Sequence, residues 1–177
     1  NDLLKVLKEI NFDEPSEIQE KVIPLALSGK DIIGESATGS GKTLAFGAPI
    51  IENIKPGWGL QSLILTPTRE LAEQVAQALH TFSKYARLKI TTVYGGVSLS
   101  NQVNELRRAD VVVGTPGRIL DHIKRRTINL SKVKILVLDE ADRMLDMGFI
   151  YDVTTIVSYC PKERQTLLFS ATISEEI

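Results

Sequence analysis

Asp31–Thr43 reads DIIGESATGSGKT, and its three parts decide the fold. Asp31–Gly34 is a strand candidate, and Leu44–Asn53 has the composition of a helix. Between them runs Ser36-Ala37-Thr38-Gly39-Ser40-Gly41-Lys42-Thr43. Glycines let such a loop bend until several backbone N–H groups face one anion, and the N-terminus of the following helix adds a favourable dipole. That order predicts a phosphate-binding loop, with Lys42 neutralising β- and γ-phosphate oxygens and the Thr43 hydroxyl ligating magnesium. Ser36 stands where glycine or alanine is common in such loops, and a small residue still fits there. The bland alternative is a glycine turn beside a solvated lysine.

About a hundred residues later, the apolar run Ile135–Leu138 ends on Asp139-Glu140-Ala141-Asp142. A carboxylate at a strand tip is suited to a bound cation, so Asp139 is expected to face magnesium and Glu140 to orient an attacking water. Read alone, the string is equally an acidic turn capping the next helix.

The rest of the chain supplies the frame. Its 177 residues suffice for one well-cored domain, and residues 1–177 are read as a single unit. Strand candidates fall at Asp31–Gly34, Ser62–Thr66, Lys89–Tyr94, Asp110–Gly114, Lys134–Asp139 and Thr166–Ser170. Val111-Val112-Val113 and Ile135–Leu138 are apolar at consecutive positions, as in strands covered on both faces. Leu71, Val75, Leu79 and Phe82 form one helical stripe between strands. Alternation of this kind predicts an α/β fold, a parallel sheet with helices on both faces, and strand-end loops gathered along one edge. Asp2–Ile10 and Pro15–Ser28 read as leading helices, with Pro15 in a first turn, and Pro56–Gly59 reads as a turn around Trp58. The net charge of −1 gives no general basic field. Cys160 is the sole cysteine, which fits a reducing, cytoplasmic setting, and neither a membrane span nor a signal peptide is expected.

These motifs resemble the first RecA-like domain of the DEAD-box RNA helicases, nearly end to end. Asp139–Phe149 (DEADRMLDMGF) adds a long contiguous match to the loop and the acidic string. Phe12-Asp13-Glu14-Pro15-Ser16-Glu17-Ile18-Gln19 is similar to the family's adenine-reading segment, which implies that Phe12 stacks on the base and the Gln19 amide reads its edge. Without the resemblance the same segment is a helix cap with a buried Phe12. Pro67-Thr68-Arg69, Gly95-Gly96 and Thr115-Pro116-Gly117-Arg118 are similar to RNA-backbone motifs, each at a strand-to-helix junction where free N–H groups and hydroxyls hold phosphates. Arg69 and Arg118 are open to a second reading as structural ion pairs. Ser170-Ala171-Thr172 resembles the family's coupling motif, with Asp142 the natural partner of its hydroxyls.

The resemblance implies an ATP- and Mg2+-binding RecA-like (P-loop NTPase) domain of an RNA helicase, catalytic at Lys42, Asp139 and Glu140, contacting RNA with little sequence preference. Its partner would be a second RecA-like domain, lying outside these 177 residues, that carries the arginines for phosphoryl transfer. The chain by itself is then expected to be monomeric, to bind ATP or ADP and to hydrolyse very slowly. A nucleotide-dependent RNA clamp or scaffold uses the same motifs, and a DNA translocase of the superfamily is a third reading. Asn11 departs from the family's glycine, and its upstream phenylalanine would precede Asn1. His80 and His122 are read as surface or half-buried helix residues, Cys160 as a structural thiol, and Lys124-Arg125-Arg126 as either an RNA-favouring cluster or a solvated helix end.

Overall fold

The computed structural model describes residues 2–177. Six strands, β1 (Ile32–Glu35), β2 (Ser62–Leu65), β3 (Ile90–Val93), β4 (Val111–Gly114), β5 (Ile135–Leu138) and β6 (Gln165–Ser170), form one sheet. Their order is β1-β6-β5-β2-β4-β3, and every neighbouring pair is parallel. Eight helices are described: α1 (Asp2–Glu9), α2 (Glu17–Leu27), α3 (Lys42–Asn53), α4 (Arg69–Phe82), α5 (Leu99–Leu106), α6 (Pro116–Lys124), α7 (Ala141–Asp146) and α8 (Ile150–Ser158).

The consecutive apolar positions of the central strands divide between two cores. Ile64, Val111, Val113, Ile135 and Val137 pack with helices α1–α4. Leu63, Leu65, Val112 and Leu136 pack with α5–α8 on the opposite face. Each such side chain removed from water contributes roughly 1.5–3 kcal/mol, so unbroken aliphatic runs are stable here only between two helical layers. The Leu71–Phe82 stripe faces the first core, as its spacing predicts. β1 is an edge strand, and Ile33 on it is 67% exposed.

Element bounds differ from the sequence reading by one or two residues, and at α2 the cap sets the difference. There Ser16 is the cap: its Oγ accepts from Gln19 N at 3.4 Å, and Gln19 Oε1 accepts from Ser16 N at 2.8 Å. Pro15 therefore precedes the cap instead of occupying the first turn, because the reciprocal Ser16–Gln19 bonds satisfy donors one step later. Asp31 lies outside β1 and uses Oδ1 to accept from Thr166 N at 2.7 Å. The Pro56–Gly59 turn is present.

Gly114 ends β4 directly before Thr115. A Cβ there would stand 2.6 Å from the Val93 carbonyl oxygen and 2.8 Å from Ile119 Cδ1. Backbone cannot swing aside as a flexible side chain can. Gly114→Ala is expected to cost about 1–3 kcal/mol, read as a lower urea midpoint at unchanged slope. An unchanged midpoint would show that β3 and β4 separate easily at this point.

Candidate functional site

All the strand-end loops open on one edge of the sheet because every strand points the same way. The loop after β1 is anchored by Ser36 N donating to Ser170 O at 2.9 Å, and by Gly41, which caps α3 with φ 86. Gly41 is also in close contact with Gln19: a Cβ would run into Gln19 Nε2, which donates to Gly41 O at 3.0 Å. Ala37, Thr38 and Gly39 are exposed, and Thr43 lies in the first turn of α3. A cavity of about 430 Å³ opens beside the loop, lined in part by Ser16, Lys21, Ser36, Ala37 and Ser40.

Lys42 and the acidic string meet at this edge. Lys42 Nζ lies 3.0 Å from Asp139 Oδ1 and 3.9 Å from Glu140 Oε2, with its side chain almost wholly buried. The contact is a buried ion pair, and neither Asp139 oxygen has a well-formed hydrogen bond. Burial pushes the Asp139 carboxyl above the usual carboxylate range, with Lys42 pulling it part of the way back. The buried Ser36 and Ser40 hydroxyls likewise have no hydrogen-bond partner.

Glu140 holds φ 53 and ψ 53, a left-handed conformation uncommon for glutamate and costing of order 1–3 kcal/mol. This turn places Glu140 Oε1 3.7 Å from Arg143 Nη1. Nothing in the residue types DEAD announces that backbone state.

Asp142, Ser170 and Thr172 come together as the resemblance implies. Ser170 Oγ accepts from Asp142 N at 3.0 Å and donates to Thr172 O at 2.6 Å, while Thr172 Oγ1 donates to Asp142 Oδ2 at 3.2 Å. Burial works against the Asp142 carboxylate, but the Ser170 hydroxyl, the Arg143 N–H and Thr172 outweigh it and hold the pKa below the ordinary value.

Gln19 caps α2 and also touches the 36–43 loop. It is 5% exposed, with Oε1 on Ser16 N and Nε2 on Gly41 O. One N–H and one lone pair of its amide remain. Phe12 packs partly buried against the α1–α4 core and lines, with Gln19, Pro15 and Leu44, an apolar groove of about 480 Å³.

The remaining motifs line the adjoining part of the same edge. Pro67 is buried; Thr68 caps α4 by accepting from Leu71 N at 3.2 Å, which leaves its hydroxyl proton available. Arg69 sits over the Tyr94 ring at 5.1 Å, next to the exposed Gly95 and Gly96. Thr115 caps α6 without a side-chain bond, Pro116 opens that helix, and Gly117 is exposed and uncrowded. Arg118 Nη1 donates to Gln102 Oε1 at 2.9 Å and Val97 O at 3.2 Å. Among the described residues neither Arg69 nor Arg118 makes an ion pair with a carboxylate, so that structural reading is corrected: an aromatic ring and neutral oxygens hold them.

His122 is fully buried, against the expectation of a surface or half-buried residue. Its Nε2 lies 2.9 Å from Gln102 Oε1 and its Nδ1 2.7 Å from Thr127 Oγ1. Gln102 Nε2 in turn donates to Tyr94 O at 2.8 Å. Gln102 thus ties the Gly95-Gly96 loop to α6, a connection between residues distant in sequence that no local pattern reveals. Desolvation first, then Arg118, lowers the His122 pKa.

Cys160 is a buried thiol whose pKa burial pushes up to about 11, against 9.0 for the free group. The thiolate fraction at neutral pH is then roughly 100-fold smaller than for an open cysteine. Iodoacetamide labelling of the folded chain should be slower by at least that factor and recover in denaturant; rapid native labelling would contradict this burial.

A family model described as DEAD/DEAH box helicase matches residues 16–177. The chain belongs to that family. Among relatives of this DEAD-box domain, the ATP-dependent RNA helicase CshA of Listeria monocytogenes is 53% identical over 98% of the chain and 34% of that protein. The RNA helicase CrhR of Synechocystis is 52% identical over 98% of the chain and 35% of that protein. The crystal structure of a DEAD box protein from the hyperthermophile Methanococcus jannaschii superposes with a TM-score of 0.97 at 48% identity, over 99% of this chain and 49% of that one. The domain therefore spans about a third of the length of these two named relatives. The RecA-like fold that the resemblance implies is the fold of that DEAD box protein. No described helix is long and apolar enough to cross a membrane.

Proposed function

We propose that residues 1–177 form the ATP-binding half of an ATP-dependent RNA helicase. In this reading a second RecA-like domain of the same protein completes the active site. The observation that carries the proposal is the meeting of Lys42 with Asp139 and Glu140 beside the 36–43 loop, at the open edge of a parallel sheet. Lys42 binds the triphosphate, exchanging the Asp139 carboxylate for phosphate oxygens. The loop N–H groups and the α3 N-terminus cradle the remaining charge. Glu140 holds the attacking water and accepts its proton.

The donor set fits magnesium. Asp139 brings two carboxylate oxygens without hydrogen bonds, and Thr43 a hydroxyl. No cluster of three or more His, Cys, Asp or Glu side chains is present among the described residues. Magnesium suits such a site, since it takes one or two protein oxygens and fills its other positions from phosphate and water. When bound it supplies charge neutralisation of the phosphate oxygens.

Gln19 reads adenine with the free half of its amide and Phe12 supplies the apolar wall. Support comes from the Gln19–Gly41 bond, which joins the base-reading segment to the phosphate loop. RNA lies along the Thr68, Gly95-Gly96 and Thr115–Arg118 edge, held by its backbone, and the Asp142–Ser170–Thr172 network joins the acidic string after β5 to the end of β6.

Gln19→Ala tests the adenine assignment. It removes both the cap bond and the hold on Gly41, so ATP affinity should fall about 10-fold and the preference over GTP should shrink, as competition binding with the two nucleotides measures. If affinity and preference both stay at wild-type values, Gln19 is a cap and nothing more.

A further inference from the structure

The end of the sheet opposite the phosphate loop carries a second polar surface. Leu60-Gln61 leads into β2, Ala109-Asp110 into β4 and Lys132–Lys134 into β5, so these residues lie a strand length away from Thr68, Thr115 and Asp139. Two cavities of about 280 and 410 Å³ adjoin here and share Lys132 as a wall. Arg107 and Arg126 line the first, and Lys134 and Trp58 the second. Glu163 is the one carboxylate lining either cavity.

The cations are uncompensated. None of Arg107, Arg126, Lys132 and Lys134 enters an ion pair among the described residues. Lys132 Nζ and Lys134 Nζ reach only carbonyl oxygens, of Trp58 at 3.4 Å and of Asn53 at 3.3 Å. Glu163 is the lining carboxylate and Asp110 lies buried behind, its oxygens taken by Gly57 N and Lys89 N, so in a chain of net charge −1 the four cations form a local positive groove. Trp58 stands beside it, 61% exposed, with the Lys55 ammonium 4.5 Å from its ring centroid. The turn is shaped around the Lys132 stem: Gly59 holds φ 91, and a Cβ there would come within 3.3 Å of Lys132 Cδ.

We propose that this groove binds single-stranded nucleic acid, its phosphates on the four cations and an unpaired base against the Trp58 indole. A cationic track with an exposed aromatic platform is the arrangement that holds single strands without reading sequence. A duplex keeps its base faces stacked and offers the indole nothing, while an acidic peptide satisfies the cations and leaves the indole unused. The groove shares no residue with the nucleotide site or with the strand-end RNA loops. It therefore anchors a strand whether or not ATP is bound, which goes beyond the proposed ATP-dependent contacts.

Trp58 is the only tryptophan in the chain, so its fluorescence reports on this groove alone. Titration with short oligouridylate should quench the emission saturably, equally with and without ATP and Mg2+. Four phosphate contacts predict a slope of log K against log salt near about −3, at ~0.7 per phosphate for a single strand. Arg126→Glu with Lys132→Glu should weaken binding at least 10-fold, and the milder Lys132→Gln should reduce the slope by about one contact. Arg69→Ala and Thr115→Ala, on the far edge, should leave the quenching intact. Absence of quenching, or quenching that survives the charge reversal, overturns the proposal. So does equal quenching by polyglutamate at matched charge, which would assign the groove to an acidic protein segment. If quenching depends on Arg69 and Thr115 instead, the strand-end reading stands and the groove does not; if only the groove variants matter, the reverse holds.

Discussion

Lys42→Ala is expected to remove measurable ATP binding. A lysine on triphosphate oxygens makes charge-assisted bonds worth roughly 1.5–3 kcal/mol each, so losing two costs about 3–6 kcal/mol, or ~10²–10⁴ in affinity. Calorimetric titration with Mg-ATP should give no usable heat at concentrations that saturate the wild type. Binding within a few-fold of wild type would remove Lys42 from the phosphate site. The substitution also strands Asp139, which is buried and has Lys42 as its close cationic neighbour. Breaking a buried pair from one side costs roughly 3–5 kcal/mol when the remaining charge must persist. Asp139 has a way out, since its pKa is already raised and removing the cation raises it further. A folded pKa above the unfolded value means stability present below about pH 3.8 and lost as pH rises through the folded pKa. Lys42→Ala should therefore lose more melting temperature between mildly acidic and neutral pH than the wild type does. A parallel pH profile for the two proteins would show that the pair is already neutral.

Turnover by residues 1–177 alone should fall far below that of the full-length protein, by about 10³–10⁵ if the missing element is an arginine finger. The arginines on this edge are otherwise occupied. Arg143 faces Glu140, Arg69 lies over Tyr94, and Arg118 is bound to Gln102 and Val97 O. Each of the three is held by such a partner, and on the proposed function the arginine that meets charge on the phosphoryl group comes from outside residues 1–177. Phosphate release measured with and without RNA, on the chain and on the full-length protein, checks this. RNA-stimulated turnover by the chain within ~10-fold of the whole protein would mean that no arginine from outside is required.

The two outcomes are linked through one geometry. Lys42, Asp139 and Glu140 are assembled within this chain, with Arg143 held on Glu140. On the proposed function, such a site holds nucleotide and is completed by a second surface.

Much of this was legible in the sequence because the signals are local. The strand–loop–helix order around SATGSGKT, the aliphatic runs at Val111–Val113 and Ile135–Leu138, and the four-residue stripe in α4 each follow from backbone conformation and side-chain periodicity over a few residues. The Asp142–Ser170–Thr172 network was accessible through motif resemblance. Pro15 was misplaced because the cap is set by the reciprocal Ser16–Gln19 bonds, which start the helix after it. His122 was misjudged for a different reason. An isolated histidine on a polar helix reads as surface, and its burial depends on Gln102, twenty residues earlier, and on Thr127.

The sequence by itself determined the class of fold, the phosphate loop, the acidic strand tip and the edge where both must lie, since short-range sterics and hydrophobic period dictate them. Tertiary structure alone decided what those parts touch. It set the strand order, laid Lys42 on Asp139, turned Glu140 into a left-handed conformation, joined Gln19 to Gly41, and gathered Arg107, Arg126, Lys132 and Lys134 beside Trp58. Such contacts join residues from about 20 to about 100 positions apart, and their energies depend on distance and burial that exist only once the chain has closed on itself.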